Sequence, residues 1–448
     1  MKKFDKDKYL KNLNFKRNLT KYGKYFYIGV PCVLAVVAGI YFAYSKFTVS
    51  KDAEVVKTTV GEFIHGDVVI GAYIDGKYST TIPGKNDGYV VKSVSCDNNA
   101  TGSWDKDKWG LTLTNMTKRT KCNIYFETKK NSVSDVINEA VNTNSSMFAS
   151  DDADKNVRYI GANPNNYVYF NCSDYNNQSD STCEKWRIIG IFNNVTKSDG
   201  TKENLVKIIR DESIGNYSWD NKNTSTGAET NYGKNDWTTA RLNYLLNPGH
   251  DSESVGGSLY YNAKSGTCYY GQNNATTSCN FTSTGLKNDT TRNAIESVVW
   301  NLGGTDAYDT STASMFYTAE RGTTVYSGRP TTWTGKIGLM YPSDYGYATT
   351  GGSTTNRSTC LSTALFNWDG SGVADCKNND YLFNSSFQWT LAPASGYAYV
   401  VFAVYSRGSV DYDGVGDARG VRPALYLKSS ISVGSGDGTS TSPYKLEM

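Results

Sequence analysis

Apolar residues are arranged in two ways along this chain. Residues 25–45, YFYIGVPCVLAVVAGIYFAYS, form one unbroken run without an ionised side chain, whereas later apolar stretches are short and alternate with polar positions. A helix rising about 1.5 Å per residue over such a run covers the ~30 Å hydrocarbon core of a bilayer. Tyr25, Tyr27, Tyr41 and Tyr44 fall toward its ends, where amphipathic rings prefer the headgroup level. Nine Lys and Arg side chains precede it within residues 1–24, against only Asp5 and Asp7. The positive-inside rule then predicts a cytoplasmic segment 1–24, a transmembrane helix 25–45 and an external remainder. Pro31 predicts a kink in that helix, and Cys32 reads as a small apolar filler. The alternative is a signal peptide cleaved after AYS, against which the run is longer than the usual h-region.

Beyond a polar connection over 46–60, the alternation predicts a small β-domain over 61–130. Two apolar stretches flank Asp75-Gly76, a hairpin turn pair. Residues 132–142, SVSDVINEAVN, predict a short helix with one apolar stripe and a Ser cap. With a loose polar stretch over 143–157 they make a helical linker spanning 131–157. From 158 to 448 strands dominate: YVYF, EKWRIIGIF, LVKIIR, KIGLMYPSDYGYA, FQWTLAP, YVVFAVY and VRPALYL are rich in β-branched and aromatic residues. Two helices are expected among them, one opened by Asp236 and one by Asp289, the latter running through Ile295, Val298, Val299 and Leu302 to Gly303. The fold class is α+β.

Cysteine usage agrees with an external location. Apart from Cys32, eight cysteines fall as chain neighbours: Cys96 and Cys122, Cys172 and Cys183, Cys268 and Cys279, Cys360 and Cys376. An even number in short-range pairs suits an oxidising compartment, although eight cysteines allow ~105 pairings. The net charge of +3 is small and concentrated in the first segment, so nothing favours nucleic acid. With only two histidines, His65 and His250, Ser/His, Cys/His and His-metal chemistry have little to work with. The 34 tyrosines serve strands equally well and also supply rigid contact area in binding loops.

The ordered set WRIIGIF…LVKIIR…WTTARLNYLLN…FYTAERG…KIGLMYPSDYGYA…QWTLAP…GVRPALYL resembles a domain of unknown function common on Gram-positive surface proteins. That domain is related to the C-type-lectin-like fold, shared with formylglycine-generating enzymes and the variable proteins of diversity-generating retroelements. The resemblance covers roughly 158–448, and the tail SGDGTSTSPYKLEM resembles the ending of the same surface proteins. It implies a loop-rich lobe over 389–419, held by the strand 421–427, that carries the ligand site and varies in diversified relatives. Candidate contacts are Tyr397, Tyr399, Tyr405, Arg407, Asp411, Tyr412, Asp413 and Asp417. Tyr397, Tyr399, Ala403 and Tyr405 share one parity of the strand pattern.

The enzymatic version of that fold uses a reactive cysteine pair, and no cysteine follows Cys376. Asp411, Asp413 and Asp417 make only part of a calcium loop and read better as a solvated acidic turn, so no cofactor is expected. Arg422, on a buried strand, calls for an acidic partner, with Glu320 and Asp344 as candidates. The sequence therefore predicts a single-pass cell-surface protein that binds an extracellular protein or glycan. The alternatives are an extracellular enzyme on the formylglycine-generating scaffold and a structural envelope protein.

Overall fold

The computed structural model describes residues 68–115, 119–221 and 232–448. The predicted cytoplasmic segment, transmembrane run and connection lie outside them. No helix among the described residues is long and apolar enough to cross a membrane. The chain divides into two compact units, Met1–Lys129 and Lys130–Met448.

In the first unit the alternating stretches form a four-stranded sheet in the order Lys77–Ser79, Val68–Ile74, Thr120–Thr128, Tyr89–Cys96. Val68–Ile74 and Thr120–Thr128 run parallel; the other pairs are antiparallel. The turn forms where the sequence places it, with Asp75 at φ 47° and Gly76 at φ 78°. Both angles suit the right-handed twist of a two-residue hairpin. Ala72, Leu111, Cys122, Ile124 and Phe126 form its buried apolar cluster, a small core that needs a covalent staple. The Cys96–Cys122 bridge joins directly opposed residues of two strands, 26 apart in sequence. Replacing both cysteines by Ser should destabilise this unit by about 3 kcal/mol, which an early denaturant transition of the full chain would report.

The second unit is mostly β with a few short helices. Its main sheet runs Ile337–Gly338, Ala424–Tyr426, Lys202–Arg210, Glu184–Thr196, Val157–Tyr159, Phe148–Ala149, and Tyr167–Phe170 also pairs with Glu184–Thr196. A five-stranded sheet follows the order Asn216–Ser218, Ala418–Gly420, Gln388–Pro393, Val400–Val404, Val410–Gly414. The remaining predicted disulfides, Cys172–Cys183, Cys268–Cys279 and Cys360–Cys376, all form here.

Four sequence expectations change. The helix expected from Asp236 starts only at Arg241, with Ala240 at its N-cap. Residues 131–157 belong to this unit rather than to a linker. Helix Val133–Thr143, capped reciprocally by Ser132 and Asp135, buries Val133 and Ile137 in the main core. Asp152, in the stretch read as loose, is fully buried and accepts from the backbone and side-chain amides of Asn156. Polarity there reflects internal hydrogen bonding, not solvation. The helix opened at 289 stops at Ala294, and Val298–Asn301 continues as a strand paired with Thr332–Gly335. Apolar spacing suited either period, and the β-branched pair Val298-Val299 settles as strand. In KIGLMYPSDYGYA only Ile337–Gly338 is strand. Pro342 opens helix Pro342–Tyr347, where its missing N–H costs nothing.

Candidate functional site

Within the segment 394–419 one strand, Val400–Val404, is buried on both faces, whereas Val410–Gly414 and Ala418–Gly420 are only partly buried. Val400–Val404 is the central strand between Gln388–Pro393 and Val410–Gly414, and every one of its side chains packs into the main core. Phe402 also packs edge-on against Phe316 of helix Ala313–Glu320. The residues that share one parity therefore do not share one environment: Ala403 is fully buried and Tyr397 is exposed.

What the strands hold outward is a cluster of tyrosines around the turn that precedes Val400. Tyr397 is 46% exposed, a high value for so large a ring. It meets Tyr412 edge-on at 5.6 Å, and Tyr412 packs on Tyr308 at 4.7 Å. The Tyr412 hydroxyl lies 2.6 Å from Asp306 Oδ1 and 2.7 Å from the Asp306 carbonyl, which fixes the ring. Burial first, then this exposed carboxylate, push the phenol far above its ordinary value. Tyr399 stacks on Tyr232 with ring centres 4.8 Å apart.

The turn is clamped from below. Asn235, only 2% exposed, sets its side-chain nitrogen 2.8, 2.7 and 3.0 Å from the carbonyls of Ala394, Tyr397 and Val400. Arg329 donates to Asn235 Oδ1 and to the Ala398 carbonyl. Gly396 lets the Asp306 carboxylate approach: a Cβ there would lie 2.3 Å from Asp306 Oδ1 and would displace that side chain. Asn235, Arg329, Asp306, Tyr308 and Tyr232 thus complete the cluster, yet nothing local in the sequence marks them. They reach the turn only through the tertiary fold.

The other candidates are placed differently. Tyr405 turns inward, its hydroxyl donating to the Tyr412 carbonyl at 2.6 Å and its ring on Phe387. Arg407 is exposed, and its carbonyl accepts from Lys377 Nζ. Asp411 is half-buried and accepts from the Tyr412 N–H. The acidic turn is not solvated, as expected, but ion-paired. Asp413 is 6% exposed and accepts from Arg419 Nε at 2.5 Å, while Asp417 lies 3.6 Å from Arg419 Nη2 and accepts from Gln272. Burial raises Asp413 to about 6. A guanidinium therefore neutralises carboxylates that had been weighed as calcium ligands. Among the described residues no group of three or more His, Cys, Asp or Glu side chains could hold a metal ion.

Arg422 pairs with neither predicted acid. Its Nε donates to the Arg210 carbonyl at 2.8 Å, and its Nη1 to the Leu382 carbonyl and Gln388 Oε1, each at 3.0 Å. Neutral dipoles satisfy this guanidinium, and burial lowers it to about 10. Glu320 instead accepts from the Ser343 N–H and hydroxyl and lies 3.3 Å from Arg321. Burial raises its carboxyl to about 7.

Asp344 anchors a separate buried network. Its Oδ1 pairs with Arg158 Nη1 at 2.9 Å and its Oδ2 with Lys207 Nζ at 2.5 Å, while Arg158 Nε also reaches Asp152 at 2.7 Å. All four side chains are at most 2% exposed. Burial works to raise Asp344, but Lys207 and Arg158 outweigh it and hold the carboxyl at about 2. Burial pushes the Lys207 ammonium down against the pull of Asp344.

Beside this network opens a cleft of about 590 Å³, lined among others by Asn193, Asn194, Trp300, Asn301, Arg321 and Lys202. The bulge between Phe192 and Val195 shapes its rim. None of the predicted contact residues lines it. No protein family, curated protein or solved structure matches this chain.

Proposed function

We propose that this chain is a cell-surface binding protein. Residues 25–45 anchor it in the membrane with 1–24 in the cytoplasm, and its second unit, of C-type-lectin-like architecture, grips an extracellular protein or glycan through the surface around Tyr397. The observation that carries this reading is an exposed tyrosine on a turn whose backbone is clamped. Tyr397 sits on a turn clamped by Asn235, beside Tyr412 locked by Asp306. Rigid aromatic anchors lose little entropy on binding and dominate contact energetics. The exposed carboxylate of Asp306, beside the Tyr412 hydroxyl, would orient the partner.

Four disulfides that use all eight cysteines after Cys32 support an oxidising, external location. With all eight paired, they favour a binder over an enzyme that works through free thiols. The Tyr397→Ala variant should lower affinity for a captured ligand by about tenfold or more, with its melting temperature unchanged because the ring is exposed. Binding by the variant equal to that of the parent chain would remove this surface as the contact.

A further inference from the structure

We propose that Lys207 and Asp344 become joined by an intramolecular amide bond, so that the second unit carries a covalent cross-link besides its disulfides. The geometry points to this. Lys207 Nζ lies 2.5 Å from Asp344 Oδ2, with the two side chains 0% and 1% exposed. The nitrogen and the carboxyl come from elements 137 residues apart, strand Lys202–Arg210 and helix Pro342–Tyr347, both embedded in the main core. Their surroundings are aromatic: Lys207 Nζ lies 4.4 Å from the ring centre of Tyr341, 5.2 Å from that of Trp300 and 5.5 Å from that of Phe192.

Three physical effects act together at such a site. Holding amine and carboxyl in contact replaces a bimolecular encounter with an intramolecular one, which raises effective concentration enormously. Arg158 Nη1, at 2.9 Å from Asp344 Oδ1, is a fixed donor on the oxygen that gains negative charge as the nitrogen adds. Dry surroundings penalise the ammonium–carboxylate pair and favour its neutral product. The charge balance also survives. Before reaction the cations Arg158 and Lys207 face the anions Asp152 and Asp344; afterwards Arg158 and Asp152 remain as a matched pair at 2.7 Å.

The step balances without an added reagent. The ammonium passes a proton to Oδ2, and the freed lone pair forms a bond from Nζ to Asp344 Cγ. A second proton moves from nitrogen to Oδ2, the Cγ–Oδ2 bond breaks, and Oδ2 leaves as water. Nζ keeps one hydrogen and Oδ1 becomes the amide carbonyl. One positive and one negative charge disappear together, and nothing is oxidised or reduced.

The test is the intact mass of the full-length chain with all cysteines reduced, followed by protease digestion. The expected result is a mass short of the sequence mass by one water. A single branched peptide should contain both Lys207 and Asp344, uncut after Lys207 by trypsin. The Lys207→Arg variant, which keeps the positive charge, should regain that water. The full sequence mass in the parent chain, with Lys207 and Asp344 in separate peptides, would overturn the proposal. So would a water loss that maps elsewhere, or one that persists in Lys207→Arg.

Discussion

Replacing Asp344 by Ala is expected to destabilise the second unit by about 3–5 kcal/mol, several times the loss that follows from breaking an exposed ion pair. In the ion-paired form the carboxylate neutralises two cations at once, Arg158 at 2.9 Å and Lys207 at 2.5 Å, in a region with almost no solvent exposure; where the amide has formed, the same truncation removes the cross-link as well and restores the Lys207 charge. The carboxylate also accepts from the Tyr341 N–H at 3.0 Å and so helps to start helix Pro342–Tyr347. Truncation leaves two buried positive charges with only Asp152 to balance them. The like-charge contact then sits inside rings of Phe192, Trp300 and Tyr341, where water cannot screen it. Denaturant unfolding of the parent and variant full-length chains measures the loss. A difference below about 1 kcal/mol, the range typical of exposed pairs, would mean that water reaches this network.

Stability should also peak on the acid side of neutrality, at about pH 4–5. The sign follows from carboxyls moved in opposite directions. Burial raises Glu320 from 4.5 to about 7 and Asp220 from 3.8 to about 7, so each binds its proton more tightly folded than unfolded. Their contribution is complete below the unfolded values and is lost as pH rises toward 7. While it remains an ion pair with Lys207, Asp344, held at about 2 against an ordinary 3.8, behaves oppositely: its contribution is present above 3.8 and is lost as pH falls toward 2. Each fully buried carboxyl that must ionise costs about 3–4 kcal/mol by pH 8. Glu320→Gln should remove its share. The amide can keep the acceptor for the Ser343 N–H and donate to the Ser343 hydroxyl, both at hydrogen-bond distance from Glu320 in the parent. The variant should therefore melt higher than the parent at pH 8 and equally at pH 4.5. A parent curve that rises steadily from pH 4.5 to 8 would contradict the burial-driven shifts.

Chain order and residue chemistry revealed the parts of this molecule that local forces decide. Asp75-Gly76 had to turn, because few other pairs adopt positive φ at both positions. The neighbouring cysteines paired as neighbours, and the β-branched runs LVKIIR and EKWRIIGIF became adjacent strands of the main sheet. The α+β class follows from the same pattern.

Partner choice across long sequence distances was not legible. Arg422 called for an acid on general grounds, yet carbonyls of Arg210 and Leu382 and the amide of Gln388 satisfy it. The acids proposed for it are occupied elsewhere, Asp344 by Lys207 and Arg158, and Glu320 by Ser343 and Arg321. Within the candidate surface, the tyrosines could be picked out because they cluster in sequence, but their direction could not. Alternation predicts facing only for a strand with one wet side, and Val400–Val404 is covered on both. Tyr405 accordingly turned inward while Tyr397 stayed out. The clamp residue Asn235 lies more than 150 positions from the turn it holds, a distance no local pattern spans.

The most direct test of the binding account is a screen of the full-length chain, in detergent, against arrays of glycans and surface proteins, run beside Tyr397→Ala and Asp306→Ala. The expected result is a ligand retained by the parent chain and lost by both variants, whose melting curves match the parent's. Ligands held equally by all three chains, or an array that none of them recognises, would contradict a tyrosine surface built for capture.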